Sequence, residues 1–318
     1  MQRLVIAVAV FFGVATSTLA AYPDHPVRII VPFPPGAGID LIARLVANKL
    51  SAPLGQQVIV DNRAGAGGNI GAEAAARSAP DGYTLVIINN AQTVNQALNP
   101  NVPFDVNRDF AAVAMLAYSP LMLAASNEVP ARTVAELIAL AKAQPGKLNY
   151  GSSGPGTPQH LSSEMLNVMA GVTMVHVPYK GQAPAMAALL ANEVQVMFGT
   201  VAGFAPMIKA GRLRPLAAAS AKRLKEYPEL PTIAEGGYPA FDVAIWYGLA
   251  APAKTPPEVI KRLNDELQRM LNAPAERTDL QQKGFEVTPS TPEELTAYIR
   301  TDLQRWQEVV QKAKISAP

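Results

Sequence analysis

The stretch VRIIVPFPPGAGIDLIARLVANKL, residues 27–50, indicates the fold class of this chain. Val27–Val31 is a short apolar run rich in β-branched residues, which is typical of a strand buried on both faces. The proline and glycine residues that follow prevent the strand from continuing. From Ile39 the apolar residues recur with helical spacing. Such a strand, loop and helix present free backbone N–H groups at the carboxyl end of the strand, which is where ligands bind in open α/β sheets. A helix N-terminus at this position binds anions preferentially.

The glycine loop in this stretch does not match a nucleotide-binding motif. Gly36 and Gly38 lack the third glycine of the dinucleotide fingerprint, and no Lys-Ser/Thr pair follows, as a phosphate loop requires. The loop therefore fits either a purely structural strand-to-helix turn or a site for another small ligand. Other stretches must decide between the two.

Length and composition point to a globular protein of two domains. At 318 residues the chain is longer than a single hydrophobic core usually supports. Its content of 49% hydrophobic and 16% charged residues is typical of a globular protein with a large buried core. It contains no cysteine, which excludes disulfides, thiolate metal sites and cysteine nucleophiles. The small net charge, +2 for the full chain, gives no support for a nucleic-acid or anionic-membrane partner.

Residues 1–21 have the features of a secretory signal peptide. Arg3 supplies a positive start, residues 4–14 are apolar, and small residues place a cleavage site near Ala20 or Ala21. A membrane anchor is the alternative, but the apolar run is shorter than the roughly 20 residues that span a bilayer. We therefore expect an exported, periplasmic mature protein.

After the first strand and helix, the sequence predicts a parallel α/β sheet. Residues 57–61 and 84–88 predict the second and third strands, and an alanine-rich helix capped by Asn69 lies between them. Because parallel strands end at one edge of a sheet, the loops after the three strands are expected to share a rim. The glycine-rich loop 65–68 fits ligand contact or plain flexibility, and residues 94–110 are predicted to form a loop.

A second α/β series repeats this plan from residue 133. Its first strand leads into GSSGPGTPQHLSSEML, residues 151–166, where Thr157 is expected to cap a helix that begins at Pro158. The apolar stretches 113–125 and 241–251 are candidates for the two crossings between the domains. The second series therefore ends a strand in a Gly/Ser loop and a helix N-terminus, as the first series does.

The C-terminal part predicts two amphipathic helices. Each begins with a threonine followed three residues later by a glutamate, which is the capping-box pattern. The two boxes are Thr255 with Glu258 and Thr291 with Glu294.

An exported Ser/His hydrolase on an α/β scaffold is the catalytic alternative. Ser152 and Ser153 stand in a Gly-Ser-Ser-Gly turn and His160 follows in the next helix, but the turn does not match the G-x-S-x-G nucleophile elbow. The helix start favours a neutral His160, either as a hydrogen-bonding group of the site or as a structural residue. His176 fits a packed core position, and His160 with Glu164 is too small a set of ligands for a metal.

Several stretches, taken together, resemble one protein family: YPDHPVRIIVPFPPGAGIDLIARLVANKL, VIVDNRAGAGGNIGA, YGSSGPGTPQHLSSEML, HVPYKGQAPAMAALLANEVQVMF, IKAGRLRPLAAASAKR, ELPTIAEGGYP and WYGLAAPAKTP. They resemble the Bug (TctC-like) family, the periplasmic solute-binding proteins associated with tripartite tricarboxylate transporters. The resemblance covers the whole mature chain. It implies a type II periplasmic-binding-protein fold with a ligand cleft between two α/β domains, residues 22–121 with 247–318 and residues 122–246.

The resemblance also implies a function and a site. It implies capture of a small carboxylate, an amino acid or a related amide, held largely by backbone groups and ordered water, for delivery to transporter subunits in the membrane or for sensing. We expect a monomer with no catalysis, cofactor, metal or nucleic-acid partner. The positions implied for ligand binding are Phe33, Gly36, Ala37, Gly38, Asp40, Thr93, Ser152, Ser153, Gly156, Thr157, His160, Pro178, Tyr179 and Thr200.

Two positions depart from the family pattern. Ala37 interrupts the usual Gly-Gly pair of the first loop, and Thr200 follows Gly199 where the family often has an acidic residue. Asp40 leaves two roles open, because it could support a helix start or place a charge in the cleft that suits an amino group and repels a carboxylate. The effector half of LysR-type regulators shares the fold, but it would need an N-terminal helix-turn-helix where this chain has an export signal.

Overall fold

A computed structural model describes residues 22–36 and 38–313 of the chain. The expected signal peptide, residues 1–21, and Ala37 of the first glycine loop lie outside the described residues. Within the described part, the order of strands and helices is that of an α/β protein, as the sequence predicts.

One mixed sheet runs through the described chain. Its strands are β1 (Val27–Val31), β2 (Val58–Asn62), β3 (Thr84–Asn89), β4 (Phe110–Ser126), β5 (Asn149–Ser152), β6 (Val175–Pro178), β7 (Val196–Thr200), β8 (Leu213–Ala218), β9 (Ala244–Pro252) and β10 (Glu286–Val287). They lie in the order β2-β1-β3-β9-β4-β7-β5-β6, and β8 and β10 each pair with β4. Strands β1, β2 and β3 are mutually parallel, as are β5, β6 and β7, so each half contains the predicted parallel unit.

Helices cover both faces of the sheet. They are α1 (Gly38–Leu54), α2 (Asn69–Ala76), α3 (Asn90–Leu98), α4 (Val134–Ala143), α5 (Pro158–Ala170), α6 (Gln182–Leu190), α7 (Val201–Lys209), α8 (Pro257–Asn272), α9 (Pro274–Gln282) and α10 (Pro292–Ala313). Because side chains alternate along a strand, Ile29 of β1 belongs to the largest apolar core and Ile30 to a second core on the opposite face. The same alternation places Phe198 of β7 in the largest core and Met197 in a third. Each half is therefore a sandwich of helix, sheet and helix layers.

Strand β4 crosses between the two halves. Its residues up to Pro120 pair with β9, and from Leu121 onward they pair with β7. We define the first lobe as β1, β2, β3, β9, β10 and the first part of β4, and the second lobe as β5 to β8 with the rest of β4. The chain returns to the first lobe at β9, which begins at Ala244. These crossings lie within three residues of the expected boundaries at 121/122 and 246/247, which we retain as a proposal.

Helix α3 extends to Leu98, so the predicted loop is wrong for residues 94–98, whereas residues 99–109 lie outside helices and strands as predicted. The helix begins with a reciprocal capping box: Asn89 Oδ1 accepts from the N–H of Ala91 at 2.8 Å, and Gln92 Oε1 accepts from the N–H of Asn89 at 2.9 Å. The amide side chains that resemble loop sequence therefore satisfy the backbone groups of a helix start.

The two capping boxes predicted near the C-terminus have different outcomes. The box of Thr291 and Glu294 is confirmed, because each side chain accepts from the other residue's backbone N–H, at 3.2 and 2.8 Å. The box at Thr255 is wrong: its hydroxyl donates to the carbonyl of Pro252 at 2.7 Å, and α8 begins two residues later at Pro257.

Candidate ligand-binding cleft

Two loops and the helix α3 of the first lobe meet where the parallel strands β1, β2 and β3 end. A Cβ atom added to Gly68 would lie 3.2 Å from the ring of Phe33 and 2.8 Å from Gln92 Nε2. Asn95 Nδ2 donates to the carbonyl of Gly67 at 3.0 Å. The loops after β1 and β2 therefore touch α3, which follows β3 directly, so the predicted rim is shared but its third member is a helix rather than a loop.

The loop between β2 and α2 is a left-handed turn. Residues 65–68 all have positive φ, at 135°, 48°, 64° and 98°, and Ala66 is the one non-glycine residue among these four. Asn95 Nδ2 also donates to Asn69 Oδ1 at 2.9 Å, so it ties the turn to α3. Asn69 is the first residue of α2 rather than its cap, and no side chain in the described residues caps this helix. The turn thus leaves the N-terminal N–H groups of α2 without a capping side chain.

Asp40 supports the start of α1. It is 2% exposed, and its Oδ2 accepts from the N–H of Gly36 and from Arg44 Nε, both at 2.9 Å. Its Oδ1 accepts from Asn62 Nδ2 at 2.9 Å. Burial raises the pKa of this carboxyl, but the bonds from Arg44, Gly36 and Asn62 outweigh it, and the pKa is lowered. Both oxygens are bound within the first lobe, which favours the supporting role over a charge offered to a ligand.

The loop between β5 and α5 forms the wall of the second lobe. Ser152 Oγ accepts from the N–H of Gly154 at 3.1 Å and lies 2.6 Å from His176 Nε2. Thr157 occupies the cap position of α5, but its hydroxyl donates to the carbonyl of Gly154 at 2.7 Å, and no described side chain caps the helix. Because Pro158 has no N–H, the next N–H groups of α5 are the ones left open at this end.

Two stacked histidines lie beneath this loop. The rings of His160 and His176 are 4.1 Å apart, and Tyr150 stacks on His176 at 5.0 Å. The N–H of Gly156 donates to His160 Nδ1 at 3.3 Å, so that nitrogen carries no proton. Burial, with a smaller contribution from His176, lowers the pKa of His160 to about 3, and burial lowers the pKa of His176 to about 4. Both rings are neutral at physiological pH, and His176 bonds to the loop rather than only filling the core.

The two lobes touch at glycines. A Cβ atom added to Gly156 of the second lobe would lie 1.9 Å from Asn95 Oδ1 of the first. One added to Gly67 would lie 3.0 Å from the carbonyl oxygen of Pro155. A cavity of about 280 Å³ opens at this contact, and it is also lined by Ala66. The lobes therefore touch at this point, and the close approach depends on the absence of side chains at Gly67 and Gly156.

The remaining residues expected in the site have varied surroundings. Thr93 is fully buried, and its hydroxyl donates to Asp302 Oδ2 at 2.6 Å. Thr200 caps α7, because its Oγ1 accepts from the N–H of Gly203 at 3.2 Å. Tyr179 donates its N–H to the carbonyl of Ser152 at 3.1 Å, so this turn supports the second-lobe loop.

Two further expected residues lie beside these loops. Pro178 pairs with Ser152 in the register of β5 and β6. Gly38 faces Tyr247, whose hydroxyl oxygen would lie 2.9 Å from an added Cβ.

Sequence reasoning missed Gln92 and Asn95, which both lie on α3. The residues Asn89-x-x-Gln92 form a capping-box pattern, and this signal could have shown that a helix starts there. Gln92 Nε2 and Ser153 Oγ are buried and have no hydrogen-bond partner among the residues that the structure describes. Five other buried side-chain atoms of the described residues are also unpaired, so the missing partner alone does not assign a ligand to Gln92 or Ser153.

The described residues hold few features of other classes of protein. Within 22–36 and 38–313, no three His, Asp or Glu side chains lie together as a metal site would require. In the same ranges, no helix combines the length and apolar character needed to cross a bilayer. Ser152 pairs with His176. The hydrolase alternative would need it to pair with His160 instead.

Two α/β lobes that meet loop to loop across a cleft define a periplasmic solute-binding protein of type II. Residues 42–315 match the family described as the tripartite tricarboxylate transporter family receptor, and the chain belongs to this family. Its structural neighbours are solute-binding proteins and not enzymes, so the hydrolase alternative is not supported.

Three similar proteins illustrate the family. BugT of Bordetella pertussis is 36% identical over 320 residues, which cover 98% of each chain. The structure of Rpa4515 of R. palustris with adipate has a TM-score of 0.88 and 34% identity, covering 93% of this chain and 99% of that one. MatC (Rpa3494) of Rhodopseudomonas palustris with bound malate has a TM-score of 0.85 and 31% identity, covering 91% of this chain and 100% of that one.

Proposed function

We propose that this protein is exported, closes its two lobes on a small carboxylate and delivers it to a membrane transporter of the tripartite tricarboxylate type. The observation that carries the proposal is the uncapped N-terminus of α5, which stands in the loop that touches the first lobe at Gly156. Open N–H groups and the helix dipole attract anions. The adipate and malate bound to Rpa4515 and MatC support the same ligand class.

The electrostatics of the cleft favour a carboxylate over an amino acid. An amino acid brings an ammonium group, which needs an acidic partner when it is buried. Asp40 was the acidic candidate, and both of its oxygens are already bound by Arg44, Asn62 and Gly36. The neutral His160 adds no charge of its own, and its protonated Nε2 is the atom we assign to the ligand.

The proposed lining follows the expected positions with two changes. Asp40 and Thr93 form their hydrogen bonds within the first lobe, so we leave them out of the proposed lining. The proposed ligand-lining residues are Phe33, Gly36, Ala37, Gly38, Ser152, Ser153, Gly156, Thr157, His160, Pro178, Tyr179 and Thr200.

A thermal-shift screen of the purified mature protein tests the ligand class. The panel contains monocarboxylates, dicarboxylates including adipate and malate, acidic amino acids and nicotinate-type compounds. A ligand present at 100 times its dissociation constant stabilises the folded state by about 2.7 kcal/mol, which a melting curve resolves. Stabilisation by amino acids with none by simple carboxylates would contradict the proposal.

Export and oligomeric state are tested on the same material. We propose cleavage near Ala20 or Ala21, so N-terminal sequencing of protein recovered from the periplasm should begin at Ala21 or Tyr22. Light scattering should give the mass of a monomer. An intact N-terminus on membrane-bound protein would instead support the anchor.

A further inference from the structure

The chain segment that returns to the first lobe changes its hydrogen-bond partners just before β9. Asp242 Oδ1 accepts from the N–H of Ala221 at 2.9 Å, and Ala221 follows β8 of the second lobe. Two residues later, the carbonyl of Ala244 accepts from Nδ2 of Asn90 on α3, in the first lobe, at 3.1 Å. The segment between Asp242 and Ala244 is therefore the point where the chain passes from one lobe to the other, and we call it the hinge.

One side chain of the first lobe reaches across this hinge. Arg305 lies on α10, which packs against α3, and its Nη1 donates to the carbonyl of Asp242 at 3.2 Å. Asp242 is the residue whose carboxylate is bound to the second lobe through Ala221. Arg305 therefore connects a first-lobe helix to the second-lobe side of the hinge.

The guanidinium of Arg305 is held in place by a buried carboxylate. Asp302 is 3% exposed, and its Oδ1 accepts from Arg305 Nη2 at 2.9 Å. Its Oδ2 accepts from Trp246 Nε1 at 3.0 Å and from the hydroxyl of Thr93 at 2.6 Å, so Asp302 is itself fixed within the first lobe. Because the N–H groups of a guanidinium have fixed directions in one plane, the bond to Asp302 directs Nη1 toward the hinge.

The bond across the hinge exists in an arrangement in which the lobes touch at the cleft. Asn95 of the first lobe meets Gly156 of the second there. Rotation of the second lobe about the hinge moves the carbonyl of Asp242 relative to Arg305, which Asp302 holds in the first lobe. A bond whose length depends on the angle between the lobes favours the angle at which it forms.

We propose that Arg305, positioned by Asp302, bonds across the hinge to favour the arrangement in which the two lobes touch. This inference rests on the proposed function, in which the lobes close on a ligand, and it assigns part of the affinity to residues outside the proposed lining. The apparent dissociation constant of a ligand rises as the fraction of protein in the binding-competent arrangement falls. Arg305 thus acts on binding through the hinge, and Asp302 is its positioning residue.

Four variants test the bond across the hinge. Arg305→Met keeps the long side chain and removes its donors. Arg300→Met is the matched control, because Arg300 is exposed on the same helix and has no hydrogen-bond or ion-pair partner among the described residues. Asp242→Ala removes the oxygen that holds the hinge to Ala221, and Asp242→Asn keeps an oxygen there.

The measurement is the distance between the lobes without ligand. The chain contains no cysteine, so Asn101→Cys in the first lobe and Glu193→Cys in the second, both at exposed positions, can carry a pair of spin labels. Pulsed electron paramagnetic resonance then gives the populations of touching and separated lobes. We expect Arg305→Met and Asp242→Ala to lower the ratio of touching to separated protein by about fivefold, and the other two variants to leave it unchanged.

Calorimetric titration of adipate and malate gives the second readout. The dissociation constant should rise by the factor by which the touching fraction falls. An unchanged or larger touching fraction in Arg305→Met and Asp242→Ala, or an equal decrease in Arg300→Met, would overturn the inference. Wild-type protein that binds no carboxylate would overturn the proposed function, while the distances measured without ligand still test the hinge.

Two further results have a defined meaning. Arg305→Met leaves the buried Asp302 without its cation, so if this variant does not fold, Asp242→Ala compared with Asp242→Asn decides. If the ligand-free wild type shows one arrangement only, the affinities of these two variants for adipate and malate decide. Weaker binding by Asp242→Ala alone supports the inference, and equal binding by both overturns it.

Discussion

The first-lobe and second-lobe walls of the cleft are built from different chemistry. At the start of α1, an ionised carboxylate, Asp40, is held by Arg44, Asn62 and a backbone N–H. At the start of α5, the supporting groups are the stacked rings of His160 and His176 and neighbouring hydroxyls. Asp40 keeps its charge because its own lobe supplies the partners, whereas the buried histidines lose theirs. Of these buried groups, the one that keeps its charge, Asp40, is therefore the one whose hydrogen-bond and ion-pair partners lie in its own lobe.

The two walls consequently respond to acid in different pH ranges. The pKa of Asp40 is lowered, so its contribution to folding stability is present above the unfolded value of about 3.9 and is lost as the pH falls through the lower, folded value. The pKa of His160 is lowered to about 3, so the unfolded chain binds a proton below about pH 6.5 that the folded protein does not. Stability therefore decreases from pH 6.5 downward because of the second lobe, and the first lobe adds to the loss below about pH 4.

The largest effect is expected where the walls touch. Gly156→Ala places a methyl group 1.9 Å from Asn95 Oδ1, so the lobes cannot close fully. We expect the affinity for the best carboxylate of the screen to fall by about 100-fold, which corresponds to about 2.7 kcal/mol. Isothermal titration calorimetry measures this loss.

Gly146→Ala is the matched control for Gly156→Ala. Gly146 has a φ of 70°, close to the 72° of Gly156, and no described atom lies within 4 Å of its added Cβ. Both variants carry the same left-handed backbone strain, but only Gly156→Ala obstructs the other lobe. Equal affinities of the two variants would show that close approach of the lobes is not needed for binding.

The next effect is expected at His160, the neutral ring of the second wall. His160→Ala removes the acceptor for the N–H of Gly156 and the donor that we assign to the ligand. We expect a loss of about 1–3 kcal/mol in binding free energy. His25→Ala, at an exposed position, should leave affinity unchanged. A loss of stability with unchanged affinity would instead give His160 a purely structural role.

The same variant tests the pH comparison. Wild-type stability, measured by urea unfolding without ligand, should fall by up to about 1.4 kcal/mol per pH unit below pH 6.5 for each fully buried neutral histidine. His160→Ala should reduce this slope. An unchanged slope would mean that His160 is protonated in the folded state.

A smaller effect on binding is expected at Asp40. Asp40→Asn replaces one acceptor oxygen by an NH₂ group that must face a donor, so we expect a loss of about 1 kcal/mol in stability. Affinity for carboxylates should change by less than about threefold, because the charge is already matched by Arg44. Asp61→Asn, at a more exposed carboxylate paired with Arg63, is the control. Binding of amino acids by the wild type that is selectively lost in Asp40→Asn would place this charge in the cleft.

Much of the fold could be predicted because periodicity and glycine loops are local signals. Strand β1, the helix after it and the Gly/Ser loop into Pro158 were all apparent in the sequence. Helix α3 was not, because Asn89 and Asn90 belong to a residue type that favours loops unless its side chain caps a helix. The pairing of Ser152 with His176 was also hidden, since it depends on the alignment of two neighbouring strands.

The smallest effect on binding is expected at Thr93, where sequence and structure point to different roles. The family resemblance placed Thr93 among the ligand contacts, but its hydroxyl donates to the buried Asp302, which also accepts from Trp246 Nε1 at 3.0 Å. Thr93→Val keeps the shape and removes this donor, so we expect a loss of about 1–2 kcal/mol in stability and less than about a twofold change in affinity. Thr157→Val, the same change in the second-lobe wall, should weaken binding instead. Unfolding and titration of both variants decide between the roles: loss of affinity in Thr93→Val at unchanged stability would return Thr93 to the ligand site.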